Sequence, residues 1–270
     1  MAGWDEVGDG VFVRRYEFFD QNIVAIRGDG RVGVVDTRTT YPQARELQDD
    51  LRALTSDPWL VINTHHHFDH SNGNALFLPA DIWGLERCAE VLRERGAAAL
   101  SEVARAMPEL ANDLSSVAIT PPNRTFAVDA VVAIGDREVT LRHFGRGHTD
   151  NDVAVMIPDA GVLLAGDLIE QGAPPSFGDS FPLEWGPTVT AMLMEVQGPV
   201  VPGHGAVVDR AFVEGQRDEI AAAGEGARRV HAAGGTLAAA VAAVEAASGY
   251  PPAVALTVAE RTFAELEPAS

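Results

Sequence analysis

The sequence predicts a layered α/β fold with two β-sheets, on three observations. Short apolar strand candidates fall into two groups, one between residues 11 and 84, the other between 130 and 201. Helical segments interleave with the first group and follow the second. Histidines and aspartates gather where several of these strands end. A sheet with an apolar face must bury it, and two such groups with intervening helices do so by stacking in layers.

The elements follow in order. VFVRRYEF (11–18) and NIVAIRGDGRVGVVDT (22–37) read as strands, with Gly28-Asp29-Gly30 as a hairpin turn. Gly28, Gly30 and Gly33 also match G-x-G-x-x-G. A dinucleotide site needs a helix after those glycines, whereas VGVVDT follows, so the hairpin reading is preferred. Residues 42–54 have helical spacing, with Ala44, Leu47 and Leu51 on one face. Residues 59–63 form a short apolar strand; SNGNALFL reads as a turn entering a short helix, with Asn72 and Asn74 as caps. A strand is expected at 81–84, then helix over 86–114 broken near Gly96 and Pro108, then a loop at PPNRTF (121–126). Strands are expected at 130–134, 138–144, 153–157 and 162–165. QGAPPSFGDSFPLEWGP (171–187) reads as an irregular loop, and Val200–Val201 end a strand before PGHG. From Asp209 the chain reads as alanine-rich helix in about three pieces, divided at Gly234-Gly235 and at 248–252. The expected organisation is a catalytic domain over 1–208 with a helical extension, 209–270, packed on it.

With 270 residues, 46% of them hydrophobic, the chain can bury a full core. Its net charge is −19, which disfavours nucleic acid and anionic membrane as partners. Salt screens that field within about 8 Å, so a locally positive pocket can still take a small anion. All 20 basic residues are arginine. Cys88 is the one cysteine, so no disulfide framework exists, and it reads as a small apolar core residue. MAGWDEVGDG lacks the basic and apolar regions of a signal peptide, and no apolar run reaches about 18 residues, so a cytoplasmic location is expected.

The densest chemistry is HHHFDH, residues 65–70, directly after the strand LVINT. His65 and His67 lie two apart and face the same side of the strand end. Imidazole is the commonest metal ligand near neutral pH. Asp69 and His70 follow in the turn, where the backbone can aim them at a second ion; His66 faces away. A helical reading, with His66 and His70 as in H-E-x-x-H proteases, fails because His67 stands where that motif needs Glu. Further ligands come from GRGHTDND (His148), LLAGDL (Asp167, just past the end of a strand) and VVPGHGAV (His204). Polar side chains at the C-terminal ends of buried strands are a common place for sites in α/β folds.

This series, His65-x-His67-x-Asp69-His70, then His148, Asp167 and His204, resembles the metallo-β-lactamase superfamily, including its glyoxalase II-like and lactonase-like hydrolases. The resemblance covers roughly residues 10–210. It implies a four-layer αββα sandwich with the metals at one edge. It implies that His65, His67 and His148 hold one ion, that Asp69, His70 and His204 hold the other, and that Asp167 bridges them. It also implies that Asp36 supports the site from behind. Thr149, Asp150 and Asp152 are either partners of histidine N–H groups or turn residues.

The donors are nitrogen and oxygen only, so two zinc ions per chain are the default, with iron or manganese fitting the same set. The expected reaction is hydrolysis. A hydroxide bridged by two zinc ions attacks the carbonyl of a small thioester, lactone or β-lactam, and Asp69 orients it or shuttles its proton. No G-x-S-x-G elbow is present to favour a covalent acyl-enzyme. Arg146 reads first as a surface arginine and second as a substrate-carboxylate clamp. Phe177, Phe181 and Trp185 form either an apolar substrate wall or a packed surface loop. Two alternatives remain open: a mononuclear iron dioxygenase of the persulfide dioxygenase type on His65, His148 and Asp167, or a metal-binding protein without turnover. The substrate-binding residues, the metal and the oligomeric state are not set by the sequence.

Overall fold

The computed structural model describes residues 3–267. Among them the first group of strands is β1 (Asp5–Gly8), β2 (Val11–Tyr16), β3 (Gln21–Gly28), β4 (Arg31–Val35), β5 (Trp59–Ile62), β6 (Ile82–Leu85) and β7 (Arg124–Phe126). The second is β8 (Asp129–Ile134), β9 (Arg137–Arg142), β10 (Ala154–Ile157), β11 (Val162–Glu170) and β12 (Val200–His204). The helices are α1 (Tyr41–Leu54), α2 (Phe68–Ser71), α3 (Glu86–Ala106), α4 (Ala111–Leu114), α5 (Pro182–Leu193), α6 (Arg210–Ala232), α7 (Leu237–Ser248) and α8 (Pro252–Leu266).

The strands pair in the order β7-β6-β5-β4-β3-β12-β11-β10-β9-β8, with β2 and β1 added beside β3. The two halves meet at a single residue pair, His204 with Gln21. The hydrogen-bonded ladder is therefore continuous where two separate sheets were expected, yet the halves pack face to face as two layers. The period of two makes this visible. Val11, Val13, Val24, Ile26, Leu60 and Ile62 face Val155, Ile157, Val162 and Leu164 across the middle of the sandwich. Their neighbours Phe12, Ile23, Ala25, Val34 and Val61 face outward under Leu47, Leu51 and Leu54 of α1. On the other outside, Ala154, Met156, Leu163 and Ala165 lie under α5–α8, through Trp185, Val189, Ile220, Val244 and Val258. The four layers are thus helix, sheet, sheet, helix.

Several local expectations need correcting. α3 runs unbroken through Gly96, which is selected by packing: a Cβ there would meet Ile119 Cγ2 at 2.7 Å. PPNRTF is not all loop, because Arg124–Phe126 pair in parallel with β6. The stretch 171–187 is not irregular to its end, since α5 starts at Pro182, with Pro at its permissive first turn. Asp167 lies inside β11, not past its end. Asn72 and Asn74 do not cap a following helix with their side chains. They lie in a 3-10 turn, residues 72–77, that has no side-chain cap bond.

The fold collects one edge. β4 and β5 are parallel, as are β11 and β12, and their C-terminal ends meet there with the start of β3.

Candidate metal centre

All seven expected side chains arrive at this edge. His65 follows β5; His67 directly precedes α2, in which Asp69 and His70 sit; His148 is in the β9–β10 turn; Asp167 projects from β11; His204 ends β12. β11 is irregular against β12 around Gly166, whose φ of +52° turns the strand at the residue before Asp167. Gly203 is required by close approach: a Cβ there would lie 1.8 Å from Asp167 Oδ1.

The ligand atoms form two sets, each lying within 4.8 Å of one another: His65, His67, His148 and Asp167, and Asp69, His70 and His204. The Asp167 carboxylate touches both. Its Oδ2 is 3.7 Å from His65 Nε2, 3.5 Å from His148 Nε2 and 3.3 Å from His204 Nε2, and its Oδ1 is 3.4 Å from His70 Nε2. Asp69 Oδ2 is 3.3 Å from His70 Nε2 and 3.4 Å from His204 Nε2. Tetrahedral zinc with bonds of about 2.0–2.1 Å has ligand–ligand edges of about 3.3–3.4 Å.

The protonation of each ring follows from its outer partner. His70 Nδ1 donates to Asp36 Oδ2 at 2.8 Å. His148 Nδ1 donates to the Ser176 carbonyl at 3.0 Å, and His204 Nδ1 to the Phe19 carbonyl at 2.8 Å. His67 Nε2 donates to Asp179 Oδ1 at 3.0 Å. Thr64 Oγ1 spends its proton on Asp36 Oδ2 at 2.7 Å, so it must accept from His65 Nδ1 at 3.0 Å. Every ring therefore turns its second nitrogen inward, where it meets a metal ion or carries a proton. Two such nitrogens, His148 Nε2 and His67 Nδ1, stand 2.9 Å apart, and those of His70 and His204 stand 3.3 Å apart. Two lone pairs facing each other at these distances would repel, so a proton or a metal ion belongs between them. Buried His65 Nε2 and Asp167 Oδ1 have no hydrogen-bond partner at all. The residues present thus fit a pair of divalent ions.

Charge tells the same story. Burial works against ionisation of Asp69, but the His70 and His204 charges outweigh it and hold its pKa at about 2. Burial likewise opposes the His204 imidazolium, yet Asp167 and Asp69 raise its pKa to about 10. His148 goes the other way, to about 4, chiefly through burial.

Asp36 takes the supporting place expected of it. It is buried with φ +68°, a conformation rare outside glycine, and accepts from Thr64 N at 2.8 Å besides Thr64 Oγ1 and His70. His66 stays off the inner set; its backbone N–H donates to Asn151 and its Nε2 is 3.4 Å from Asp179 Oδ2. Asp150 pairs with Arg87, and Asp152 accepts from Thr149, so these residues build the turn. Arg146 is engaged with Glu184 and lies over the Phe181 ring. Trp185 and Phe177 are core residues, and of the three aromatics Phe181 alone lines a groove beside the centre. Cys88 is fully buried, and burial pushes its thiol up.

Some supporting residues escaped the sequence reading. Asp179 anchors His67. Asn74 ties Thr37, Asn63 and the Thr120 carbonyl beneath α2. Gln21 donates to the Asp69 carbonyl, and Asn22 to the carbonyls of Pro202 and Gly205 at 2.9 and 2.8 Å. Glu170, whose Oε1 is 3.8 Å from His148 Nδ1, is pushed up to about 8 by burial and by Asp167. Gln21 and Asn22 left one usable sign, two amides opening an otherwise apolar strand.

An αββα sandwich carrying adjacent histidine–carboxylate clusters at the shared sheet edge defines the class of this protein. The family model for the metallo-beta-lactamase superfamily matches residues 16–220, and the chain belongs to that superfamily. It is similar to the acyl-coenzyme A thioesterase MBLAC2 of Gallus gallus, 28% identical over 187 residues, covering 62% of this chain and 65% of that protein. The Homo sapiens protein of the same name is 27% identical over 198 residues, covering 62% of this chain and 66% of the other. The chain thus matches just under two thirds of the length of these relatives. Among solved structures, a metallo-beta-lactamase from Pontibacter korlensis superposes with a TM-score of 0.65 at 18% identity, over 79% of this chain and 97% of that one. The sec-alkylsulfatase Pisa1 from Pseudomonas sp. superposes with a TM-score of 0.80 at 18% identity, over 100% of this chain and 52% of that one. At these identities the likeness is one of fold, and with Pisa1 it extends through the C-terminal helices.

Proposed function

We propose that the protein is a metal-dependent hydrolase of acyl thioesters. The observation that carries this reading is the set of five imidazoles, each with its outer nitrogen bonded and its inner nitrogen turned inward, converging on Asp69 and Asp167. His65, His67 and His148 would hold one ion, Asp69, His70 and His204 the other, and Asp167 both. Zinc suits these nitrogen and oxygen donors. Ions bound there supply Lewis acidity and a water that ionises near neutral pH.

The chain's own residues do the rest. Asp69, ionised and buried against His70 and His204, is placed to accept a proton from the attacking water and hold its lone pair toward the carbonyl carbon. Asp36, Asp179 and the Ser176 and Phe19 carbonyls keep the imidazoles in one tautomer, so that no ring moves during turnover. Buried Cys88 is no nucleophile, which favours direct attack by water over an acyl-enzyme. The convergence of Asp69, His70 and His204 supports two ions over a mononuclear oxygenase, which would leave that set unused. The likeness to acyl-coenzyme A thioesterase MBLAC2 supports the thioester among the carbonyl substrates.

The test is thiol release from acyl-coenzyme A by the zinc-loaded protein, with metal content measured by mass spectrometry on the same sample. Two zinc ions per chain and turnover abolished by chelation are expected. A chain carrying two ions that releases no thiol would refute the thioester reading; a single iron would refute the hydrolase.

A further inference from the structure

A groove of about 420 Å³ opens beside the metal centre. One wall is α3; the other is the turn after β5 together with Asp179 and Phe181. Asp179 belongs to both places, since it lines the groove and accepts from the ligand His67. The α3 residues that line it run from Arg87 to Glu102, roughly 22 Å of helix at 1.5 Å per residue. The groove is therefore extended along α3, and Asp179 places it one side chain away from His67.

Just over half of its lining residues are apolar, among them Val91, Leu92, Ala98, Ala99, Ile119 and Phe181. The charges among them are largely committed. Arg87 donates to Asp150 at 2.8 Å and to Glu90 at 3.3 Å. Arg261 donates to the carbonyls of Ser180 and Asp179 at 2.8 and 3.0 Å. Arg95 and Glu102 are exposed on the helix. A phosphorylated carrier would find few free donors here, and the −19 chain offers it no attraction at long range. A straight hydrocarbon chain finds a matching surface, and Ala98 and Ala99 are the small residues that leave room for it.

We propose that this groove seats the acyl chain of the substrate, and that Ala98 and Ala99 set the chain length accepted. The proposal rests on the thioester reading and extends it to the medium- and long-chain acyl class.

The experiment uses zinc-loaded protein, wild type, Ala98→Trp and Ala99→Trp, with Ala97→Trp as control. Ala97 is exposed on the same helix, as Ala98 and Ala99 are, but lies outside the groove. Two quantities are read: kcat/KM for acyl-coenzyme A esters from butyryl to palmitoyl, and calorimetric binding of the matching non-hydrolysable S-alkyl-coenzyme A thioethers. In the wild type kcat/KM is expected to rise about fourfold per methylene until the groove is filled. In Ala98→Trp and Ala99→Trp the ratio of dodecanoyl to butyryl kcat/KM should fall about tenfold or more, and thioether binding should lose its length dependence. Ala97→Trp should keep the wild-type ratio. Hydrolysis that ignores chain length, or groove variants with the wild-type profile, would overturn the groove while leaving the thioesterase intact. Length-dependent thioether binding without hydrolysis would keep the groove and overturn the thioesterase. Neither binding nor hydrolysis would overturn both.

Discussion

Replacing Asp36 with asparagine exchanges one oxygen for an NH2 group and should reach both halves of the metal centre. Asp36 Oδ2 accepts from His70 Nδ1 at 2.8 Å and from Thr64 Oγ1 at 2.7 Å, while Oδ1 accepts from Thr64 N at 2.8 Å. Asparagine can keep the Thr64 N–H bond through its carbonyl. Its NH2 then faces His70 Nδ1 and Thr64 Oγ1, and as a donor it reverses both bonds. His70 must move its proton to Nε2, which points at Asp69 and Asp167. Thr64, freed of its acceptor, turns its hydroxyl proton toward His65 Nδ1 and drives that ring to the same tautomer. His70 and His65 belong to different halves of the centre, so both ion sites lose a bare nitrogen. Loss of such an outer partner typically weakens metal binding about 10–100-fold, or roughly 1.4–2.7 kcal/mol per ion. Backbone geometry is conserved, so the metal-free fold should lose only about 1 kcal/mol. Asp36→Ala differs: it leaves three buried donors without an acceptor, and the metal-free fold should lose about 4 kcal/mol. The assay is competition for zinc with a chromogenic chelator, urea unfolding of the chelated proteins, and nitrogen NMR of the histidine tautomers. An Asp36→Asn protein that binds two zinc ions with wild-type affinity and keeps His70 protonated at Nδ1 would refute this reasoning.

Other perturbations test other contacts. Asp179→Asn removes the carboxylate that receives the His67 Nε2 proton; since that side chain is 47% exposed, zinc affinity should drop about tenfold at one site with little change in urea midpoint. Gly203→Ala puts a Cβ where Asp167 Oδ1 lies, 1.8 Å away, and should release at least one ion per chain by mass spectrometry and destabilise the fold by about 1–3 kcal/mol. Chelation should lower the melting temperature, and added zinc should restore it. The metal-free protein should show its own pH profile. His204, raised from 6.5 to about 10, contributes stability fully present below pH 6.5 and lost as pH climbs through 10. Asp69, lowered from 3.8 to about 2, contributes stability present above 3.8 and lost as pH falls through 2. Unfolding of the chelated protein should thus be hardest between about pH 4 and 6.5, and a profile that keeps rising above pH 7 would contradict these charges.

The clustering of these seven side chains was legible because each carries a local sign: a histidine or aspartate where an apolar strand meets a turn, often beside glycine. What surrounds the ligands was less so. The segment FPLEWGP, residues 181–187, reads as the end of a loop because Pro182, Gly186 and Pro187 oppose helix propensity. It is helical because Trp185, Val189 and Met192 bury completely against the second sheet half, and Gly186 suits a close approach of α6, since a Cβ there would lie 3.0 Å from Ala221 Cβ. Asp179 has no periodicity to announce it, and only the folded chain brings it to His67, 112 positions away in sequence. Gly96 misled for the opposite reason: a residue read as a helix break is a contact site for Ile119.

The site also explains why metal loading and folding should be tied together here. Asp36, Asp69 and Asp167 are 2%, 6% and 5% exposed, and among the described residues no arginine pairs with any of them. Buried carboxylates without compensating charge cost several kcal/mol each. The chain has one internal remedy, protonation of neighbouring imidazoles, and His70 and His204 are pulled upward by these same carboxylates. That remedy uses the nitrogens the ions need. Proton and cation therefore compete for the same lone pairs, and zinc affinity should fall as pH drops, with protons released on binding. Calorimetry in buffers of different ionisation enthalpy counts those protons. A value near zero at pH 7 would mean that the imidazoles are already neutral, and that something other than the histidines balances the three carboxylates.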